Sequence, residues 1–148
     1  CLGGSTCVAN KGILEQIVKV TEQYECCGID VQEVPQEDVY KYGIVTGEVR
    51  DGRHTRVETM VEKPDPEEAP SNLAIIGRYI LTPDIFDVIS NTEPGVGGEV
   101  QLTDALQTMA EQGKVIAYRF KGKRFDCGSI DGFVEATNFF YEKMKQAE

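Results

Sequence analysis

Apolar residues recur at helical spacing near the start of the chain. Asn10 can cap a helix over residues 11–25, because its side chain can accept a hydrogen bond from the first helical turn. The apolar positions of this segment fall on one helical face, namely Ile13, Leu14, Ile17, Val18 and Tyr24. Gly28 is the expected end of the helix. The pattern therefore predicts an amphipathic helix.

Three further helices are predicted downstream. Thr82 followed by Pro83 indicates an N-cap with proline at the first helical position, and this helix is expected to run through Ser90. The segment that begins at residue 99 leads into a helix ending at Gly113. The last helix covers residues 130–145 and carries a stripe of apolar side chains formed by Phe133, Ala136, Phe140 and Met144.

Strand patterns lie between these helices. The predicted strands cover residues 29–34, 42–49, 55–61, 73–81 and 114–120, and a short extended piece follows over residues 124–128. Asp51-Gly52 is a strong hairpin signal that joins the second strand to the third. Because helices and strands alternate around one inserted hairpin, the fold class is α/β, a mixed sheet with flanking helices.

Two loops interrupt the pattern without dividing the chain. Residues 63–71 are rich in proline and acidic side chains, but strand material resumes at once, so a single domain over residues 1–148 is expected. Residues 91–98 form a glycine-rich loop. This loop has neither the G-x-G-x-x-G spacing nor the Gly-Lys-Ser/Thr ending of a phosphate-binding loop, and a flexible loop is the better interpretation.

Composition narrows the class of partner. The net charge of −10 argues against nucleic acid or an anionic membrane as the main partner. An anionic ligand would need local cations, and Lys63 is one candidate. No apolar run approaches the length of a membrane span and no signal peptide is evident, which favours a cytoplasmic protein.

Cysteine and histidine usage excludes several kinds of site. Five cysteines without any Cys-x-x-Cys pair indicate reduced, mostly buried thiols rather than a disulfide framework or a zinc site. Cys127 is a conceivable nucleophile, but a structural thiol is favoured because no histidine lies near it in sequence. The one histidine, His54, is expected in a turn.

Charged residues at two predicted strand ends are candidates for ligand binding. Glu62 and Lys63 stand side by side before Pro64, which stops the strand because it cannot donate to a ladder. The alternative is a solvated turn. Asp126 ends the extended segment before Cys127 and is suited to a hard cation such as Mg²⁺, although one carboxylate is not a metal site.

Five motifs follow one another in an order that resembles a known family. They are KYGIV at residues 41–45, VEKP at 61–64, APSNLAIIGRY at 69–79, GEVQLTDA at 98–105 and GKRFDCG at 122–128. Together they resemble the C-terminal half of the bacterial UTP–glucose-1-phosphate uridylyltransferases (UDP-glucose pyrophosphorylases), which are sugar nucleotidyltransferases. The resemblance implies the C-terminal portion of a Rossmann-like nucleotide-diphospho-sugar transferase fold.

The resemblance also implies roles for individual residues. Gly43, Glu62 and Lys63 would hold the glucosyl phosphate of glucose 1-phosphate or UDP-glucose, and Lys63 would also be catalytic. Asp126 would be one of two ligands of Mg²⁺. The implied reaction is attack of the sugar phosphate on the α-phosphorus of UTP with release of pyrophosphate, which depends on positioning and charge neutralisation rather than on a covalent intermediate.

Two departures from the family qualify this expectation. The nucleotide-binding half, with its glycine-rich loop, has no counterpart here, and Gly4 stands where the second Mg²⁺ ligand is expected. The chain is therefore expected to be a truncated or excised portion that is inactive alone. The alternative is a non-catalytic binding or interaction module that kept the fold. An exposed sheet edge and apolar patch predict self-association, as a dimer.

Overall fold

The computed structural model describes residues 5–94 and 98–146, which form two compact units. The terminal unit comprises the described residues within Cys1–Ile13 and Lys121–Glu148, and the barrel unit comprises those within Leu14–Phe120. The expected single domain over residues 1–148 stays a prediction.

Twelve elements follow one another along the described residues. In chain order they are β1 (Ser5–Val8), α1 (Ile13–Tyr24), β2 (Cys27–Glu33), a 3-10 helix (Gln36–Lys41), β3 (Gly43–Asp51), β4 (His54–Glu62), β5 (Leu73–Ile80), α2 (Ile85–Asn91), α3 (Leu102–Glu111), β6 (Val115–Arg119), β7 (Lys123–Asp126) and α4 (Ile130–Lys145). None of the helices in this described part is long and apolar enough to cross a membrane.

Five strands of the barrel unit close into a ring. Their order is β2-β5-β3-β4-β6, and β6 returns to β2. The β2–β6 pair is parallel, whereas the other neighbours are antiparallel. The predicted α/β class with a mixed sheet and flanking helices is confirmed, and closure of the sheet is a feature that strand patterns alone did not indicate.

The predicted hairpin joins β3 to β4. Asp51 pairs with His54 across the turn, and Gly52 has a φ of 28°, which suits glycine. A register shift follows Thr46, and a side chain on Gly47 would collide there with the backbone oxygen of Arg56. The hairpin register therefore depends on a bulge that only glycine fits.

The core of the barrel unit lies between the ring and two of its helices. Buried residues from β2, β3, β4, β5, β6 and α3 form one cluster that includes Ile29, Val45, Met60, Ile75, Leu106 and Met109. From α1, the chain buries Ile13, Ile17 and Val20, whereas Leu14 and Val18 of the predicted face are exposed. The buried face of α1 is thus rotated from the predicted one: it includes Val20 and excludes Leu14 and Val18.

Several predicted boundaries need correction. Glu25 ends α1 with a φ of 51°, and Gly28 lies inside β2, where a Cβ would meet Thr21 and Ile17 of α1. The helix expected after Thr82 begins at Ile85, because the Ile85 amide bonds back to the Thr82 carbonyl in a preceding turn. The segment after the first predicted strand contains a 3-10 helix, Gln36–Lys41, which the sequence pattern did not indicate.

The terminal unit is small. Its sheet has two antiparallel strands, β1 and β7, and α4 follows β7 with the bounds that the sequence predicts. Ser129 caps α4 by accepting a hydrogen bond from the Gly132 amide at 3.1 Å. Of the predicted apolar stripe, Ala136 is buried, whereas Phe133 and Met144 are 61% and 70% exposed.

A buried carboxylate closes an irregularity between β2 and β5. The register shifts between Ile29 and Val31, and Asp30 at this point is fully buried. Its Oδ1 accepts a hydrogen bond of 2.7 Å from the Arg78 amide, and its Oδ2 lies 3.6 Å from Arg78 Nη1. Burial raises the pKa of Asp30, and the contacts with Arg78 oppose that rise.

The substitution Asp30→Asn tests this burial through pH. With a raised pKa, the native state binds more protons than the unfolded state above pH 3.8, so this group makes the free energy of unfolding fall as pH rises. We expect the wild-type chain to lose stability relative to Asp30→Asn between about pH 4 and pH 7, measured by urea denaturation at several pH values. A free energy of unfolding of the wild type that stays constant or rises with pH relative to that of Asp30→Asn would contradict the burial penalty.

Candidate functional site

The first candidate site lies where β3 begins and β4 ends. Gly43 pairs with Glu62 in the antiparallel register, and the Lys63 amide donates a hydrogen bond of 3.0 Å to the Tyr42 carbonyl. Glu62 and Lys63 are exposed, and the Pro64 that follows them is buried. The structure therefore brings together three of the predicted site residues, Gly43, Glu62 and Lys63, at one end of the hairpin.

Helix α3 runs along the free part of β4. Only residues 54–56 of β4 pair with β6, and beyond them Gln107 accepts a hydrogen bond of 2.6 Å from the Met60 amide. One helical turn earlier, Thr103 Oγ1 donates to Glu62 Oε2 at 2.7 Å. Since residues four apart share a helical face, α3 supplies both contacts from one side. Thr103 thus orients the Glu62 carboxylate.

Gly43 lies close to that carboxylate. A Cβ at this position would lie 3.1 Å from Glu62 Oε2, 3.1 Å from Ile75 Cδ1 and 3.6 Å from Thr103 Oγ1. The two separations of 3.1 Å are tighter than ordinary van der Waals contact. Gly43 is buried, and a side chain there would press on Glu62, so glycine allows Glu62 and Ile75 to pack close to this backbone.

Tyr79 on β5 adds a neutral phenol to this region. Burial, followed by the negative charges of Glu62 and Asp30, raises the pKa of Tyr79 to about 12. The phenol therefore keeps its proton at neutral pH and remains a hydrogen-bond donor. Thr103 and Tyr79 both lie within the recognised motifs, yet the sequence assigned them no role, because their proximity to Glu62 depends on tertiary packing.

Lys63 has an unusual backbone conformation. Its φ is 47°, in the left-handed region that side chains other than glycine seldom adopt. Such a conformation costs on the order of 1–3 kcal/mol and is concentrated at functional sites. No ion pair involves the Lys63 ammonium within residues 5–94 and 98–146. The chain thus holds an exposed cation in a strained position.

Asp126 belongs to the terminal unit. It ends β7 opposite Ser5, its side chain is exposed, and its Oδ1 accepts a hydrogen bond of 3.1 Å from the Gly128 amide. Arg124 Nη2 lies 3.4 Å from Asp126 Oδ2. Gly132 allows α4 to pass close to this strand end, because a Cβ there would collide with the Asp126 carbonyl oxygen.

Asp126 could supply one oxygen ligand to a Mg²⁺ ion. No cluster of three or more His, Cys, Asp or Glu side chains that could hold a metal occurs in the described part of the chain. Mg²⁺ is commonly held by one or two carboxylates together with substrate phosphates and water, so a single exposed carboxylate such as Asp126 is compatible with it. Gly4, at the expected second ligand position, lies outside the described residues.

The remaining candidates have structural explanations. The described cysteines are free thiols, of which Cys26 and Cys27 are buried and Cys7 and Cys127 half-buried; Cys1 lies outside the described residues. His54 begins β4, and its Nδ1 contacts the Asp51 carboxylate across the predicted turn, which lowers the pKa of Asp51. In the glycine-rich loop, residues 95–97 lie outside the described residues.

Comparison with known families identifies the class of protein to which the chain belongs. Residues 2–143 match the family model described as nucleotidyl transferase. The chain belongs to the nucleotidyl transferase family.

Particular relatives sharpen the comparison. The chain is 62% identical over 132 residues to UTP–glucose-1-phosphate uridylyltransferase of Pseudomonas aeruginosa, covering 89% of this chain and 47% of the relative. It is 46% identical over 140 residues to UTP–glucose-1-phosphate uridylyltransferase 2 of Streptococcus pyogenes, covering 93% and 46%. The chain therefore spans about half the length of the curated relatives it matches.

A solved structure gives the same result for the fold. UDP-glucose pyrophosphorylase complexed with UDP-glucose aligns with a TM-score of 0.88 at 48% identity, covering 94% of this chain and 53% of that chain. The resemblance inferred from the five motifs is confirmed, and so is the nucleotidyltransferase fold.

The contact between Thr103 and Glu62 can be measured by a double-mutant cycle. We expect Thr103→Val and Glu62→Gln to show a coupling free energy of about 0.5–1 kcal/mol in urea unfolding, modest because Glu62 is exposed. Thr103→Val with Glu58→Gln is the matched control, since the Glu58 side chain is exposed on the same strand. Equal coupling in the two pairs would contradict a specific Thr103–Glu62 interaction.

Proposed function

We propose that this chain is the sugar-phosphate half of an enzyme that makes UDP-glucose and pyrophosphate from UTP and glucose 1-phosphate. The observation that carries the proposal is the juxtaposition of Gly43, an oriented Glu62 and a strained, exposed Lys63 at one strand end. Family membership and the similarity to UTP–glucose-1-phosphate uridylyltransferases support the same reaction class.

Each residue has a distinct part in this proposal. The Glu62 carboxylate accepts hydrogen bonds from sugar hydroxyls, and the Thr103 hydroxyl fixes its orientation. The Lys63 ammonium binds a phosphate oxygen as a compact positive charge and stabilises the charge that develops during transfer. Gly43 lets the sugar approach the backbone because no Cβ intervenes.

Asp126 is proposed as a ligand of Mg²⁺. The ion, when bound, would neutralise charge on the phosphates, with substrate oxygens and water completing its coordination. Asp126 itself would supply one carboxylate oxygen. This assignment is supported by the exposure of its side chain at a strand end and by the DCG motif.

We further infer that the chain is inactive alone. The 148 residues contain no glycine-rich nucleotide loop of the G-x-G-T-R type, so UTP would have to be held by a complementing nucleotide-binding half. Substantial UDP-glucose formation by the purified chain, with UTP, glucose 1-phosphate and Mg²⁺ supplied, would contradict this inference.

Calorimetric titration tests the sugar-phosphate site directly. We expect UDP-glucose or glucose 1-phosphate to bind the purified chain, and Lys63→Ala to weaken binding at least about tenfold, because one ammonium–phosphate contact is lost. Lys143→Ala is the matched control, as this lysine is exposed on α4. Titrations with and without Mg²⁺, on the wild type and on Asp126→Asn, test the metal assignment.

The outcomes separate the enzyme half from a non-catalytic module. Equal weakening by Lys63→Ala and Lys143→Ala would indicate general electrostatics and would contradict a specific site. Absence of binding to either ligand would contradict a preformed sugar-phosphate site and favour a stand-alone interaction module.

Self-association is also expected of the isolated chain. The large exposed apolar side chains include Phe86, Val100, Ile130, Phe133 and Met144, and such surface favours association in water. We expect a homodimer in sedimentation equilibrium at micromolar concentration. Monomeric sedimentation over this range would contradict the expectation.

A further inference from the structure

A cavity with two arginines in its wall lies near the turn of the β3–β4 hairpin. It has a volume of about 350 Å³ and belongs to the barrel unit. Its wall includes Tyr24, where α1 ends, Cys26, Arg50 and Arg56 of the hairpin, Gly113, which follows α3, and Ile116 of β6. None of the described residues that line it is acidic. In a chain with a net charge of −10, a cavity walled by cations without anions is suited to an anionic ligand.

Arg56 is an exposed cation on the wall of this cavity. It pairs with Ile116 in the register between β4 and β6. Its guanidinium lies against the backbone of Gly113, because a Cβ on that glycine would collide with Arg56 Nη2. In the part of the chain that the structure describes, the guanidinium forms no ion pair and no hydrogen bond. All of its N–H donors are therefore available to a ligand.

Arg50 supplies a second guanidinium, which is partly neutralised. Its Nη2 lies 2.9 Å from Glu48 Oε2, and both side chains are exposed. Glu48 also stands opposite Arg56 in the hairpin register, so one carboxylate serves two guanidinium groups. Because an exposed ion pair is weak, an anionic ligand can replace Glu48 at Arg50. The cavity thus has more positive than negative charge beside it.

Two neutral groups complete the polar wall. The Tyr24 side chain is half-buried, and its hydroxyl has no hydrogen-bond partner among the residues that the structure describes. Burial, and after it the neighbouring Cys27, raises the pKa of the Cys26 thiol. Arg56 and the Ile116 amide oppose this rise. The thiol therefore stays protonated at neutral pH and leaves the charge of Arg56 uncompensated.

We propose that this cavity binds a phosphate monoester, with the Arg56 guanidinium as the main ligand and Arg50 and the Tyr24 hydroxyl as further donors. Such a phosphate carries a charge of about −1.5 to −2 at pH 7 and three acceptor oxygens, so it can engage one guanidinium through two bonds and still accept from another donor. The apolar surface of Ile116 suits the organic part of the ligand.

The helix ends beside the cavity limit the affinity. Tyr24 ends α1 and Gly113 follows α3, so the carbonyl ends of both helices are near the cavity. These ends carry partial negative charge and oppose an anion. We therefore expect a dissociation constant on the order of 1 mM.

This cavity is distinct from the sugar-phosphate site proposed above. Arg56 lies near the start of β4 and Glu62 at its end. At the rise of an extended strand, the two residues are about 20 Å apart. The inference therefore does not depend on the proposed function.

A titration followed by nuclear magnetic resonance tests the site on the full chain. Glycerol phosphate is added to the isotope-labelled protein at constant ionic strength, and amide chemical shifts are recorded. We expect saturable shifts at Gly113 and Ile116. Arg56→Gln should weaken the binding measured at these amides at least about tenfold, because a charge-assisted contact is lost. Arg56→Lys, which keeps the charge but not the planar fork, should weaken it about threefold.

Arg53→Gln is the matched control. Arg53 is exposed on the same hairpin and does not line the cavity, so this variant loses the same charge and should change the dissociation constant less than about twofold. Glu48→Gln should strengthen binding about twofold or more, because it releases Arg50. Thermal unfolding of each variant establishes that the fold is kept.

Several results would overturn the proposal. These are equal weakening by Arg53→Gln and Arg56→Gln, no saturable shift at Gly113 and Ile116, or binding of the dicarboxylate succinate as tight as that of glycerol phosphate. Shifts confined to Gly43 and Lys63 and abolished by Lys63→Ala would also overturn it, while they would support the sugar-phosphate site. Shifts at Gly113 that persist in Lys63→Ala would support the cavity even if the sugar-phosphate proposal failed.

Discussion

The register between β3 and β4 is the constraint on which the candidate site depends. It sets Gly43 opposite Glu62 and brings the Lys63 amide to the Tyr42 carbonyl. Because side chains alternate across a strand, a slip of one residue would turn Glu62 to the other face and remove it from Thr103. The register is held by the Asp51-Gly52 turn and by the bulge at Gly47, where no Cβ fits against the Arg56 carbonyl. Two glycines distant from Glu62 along the hairpin, Gly47 and Gly52, thus help to determine which face of the strand carries this carboxylate.

Local sequence features predicted the parts of this arrangement that local physics decides. The hairpin turn, the bounds of α4 and the stop at Pro64 follow from turn chemistry, capping and the missing proline amide, and each is found. The contact of Thr103 with Glu62 joins residues 41 positions apart and was not predictable from spacing. It arises because β4 extends beyond the residues that pair with β6, and α3 packs along this unpaired part of β4. This arrangement is a consequence of tertiary packing.

Apolar periodicity identified helices more reliably than it identified what covers them. In α1 the buried face is rotated from the predicted one, since Val20 faces inward and Leu14 faces solvent. In α4 the predicted stripe is genuine, yet Phe133 and Met144 are exposed and Ala136 alone of the four predicted residues is buried. A period of 3.6 residues in the apolar pattern indicates which residues share a helical face. It does not indicate which other element packs against that face.

The strain at Lys63 has a physical reason to persist. The backbone conformation with a φ of 47° is less stable for lysine than it would be for glycine. The buried Pro64, whose own φ is fixed by its ring, restricts the backbone that follows. The strained residue follows Glu62 directly, so adjacent residues place an anion and a cation at the same strand end, and no ion pair involves the Lys63 ammonium within residues 5–94 and 98–146. A glycine would relieve the strain but would remove the ammonium. The strain at this position is thus tied to a cationic side chain directly after Glu62, where the chain leaves β4.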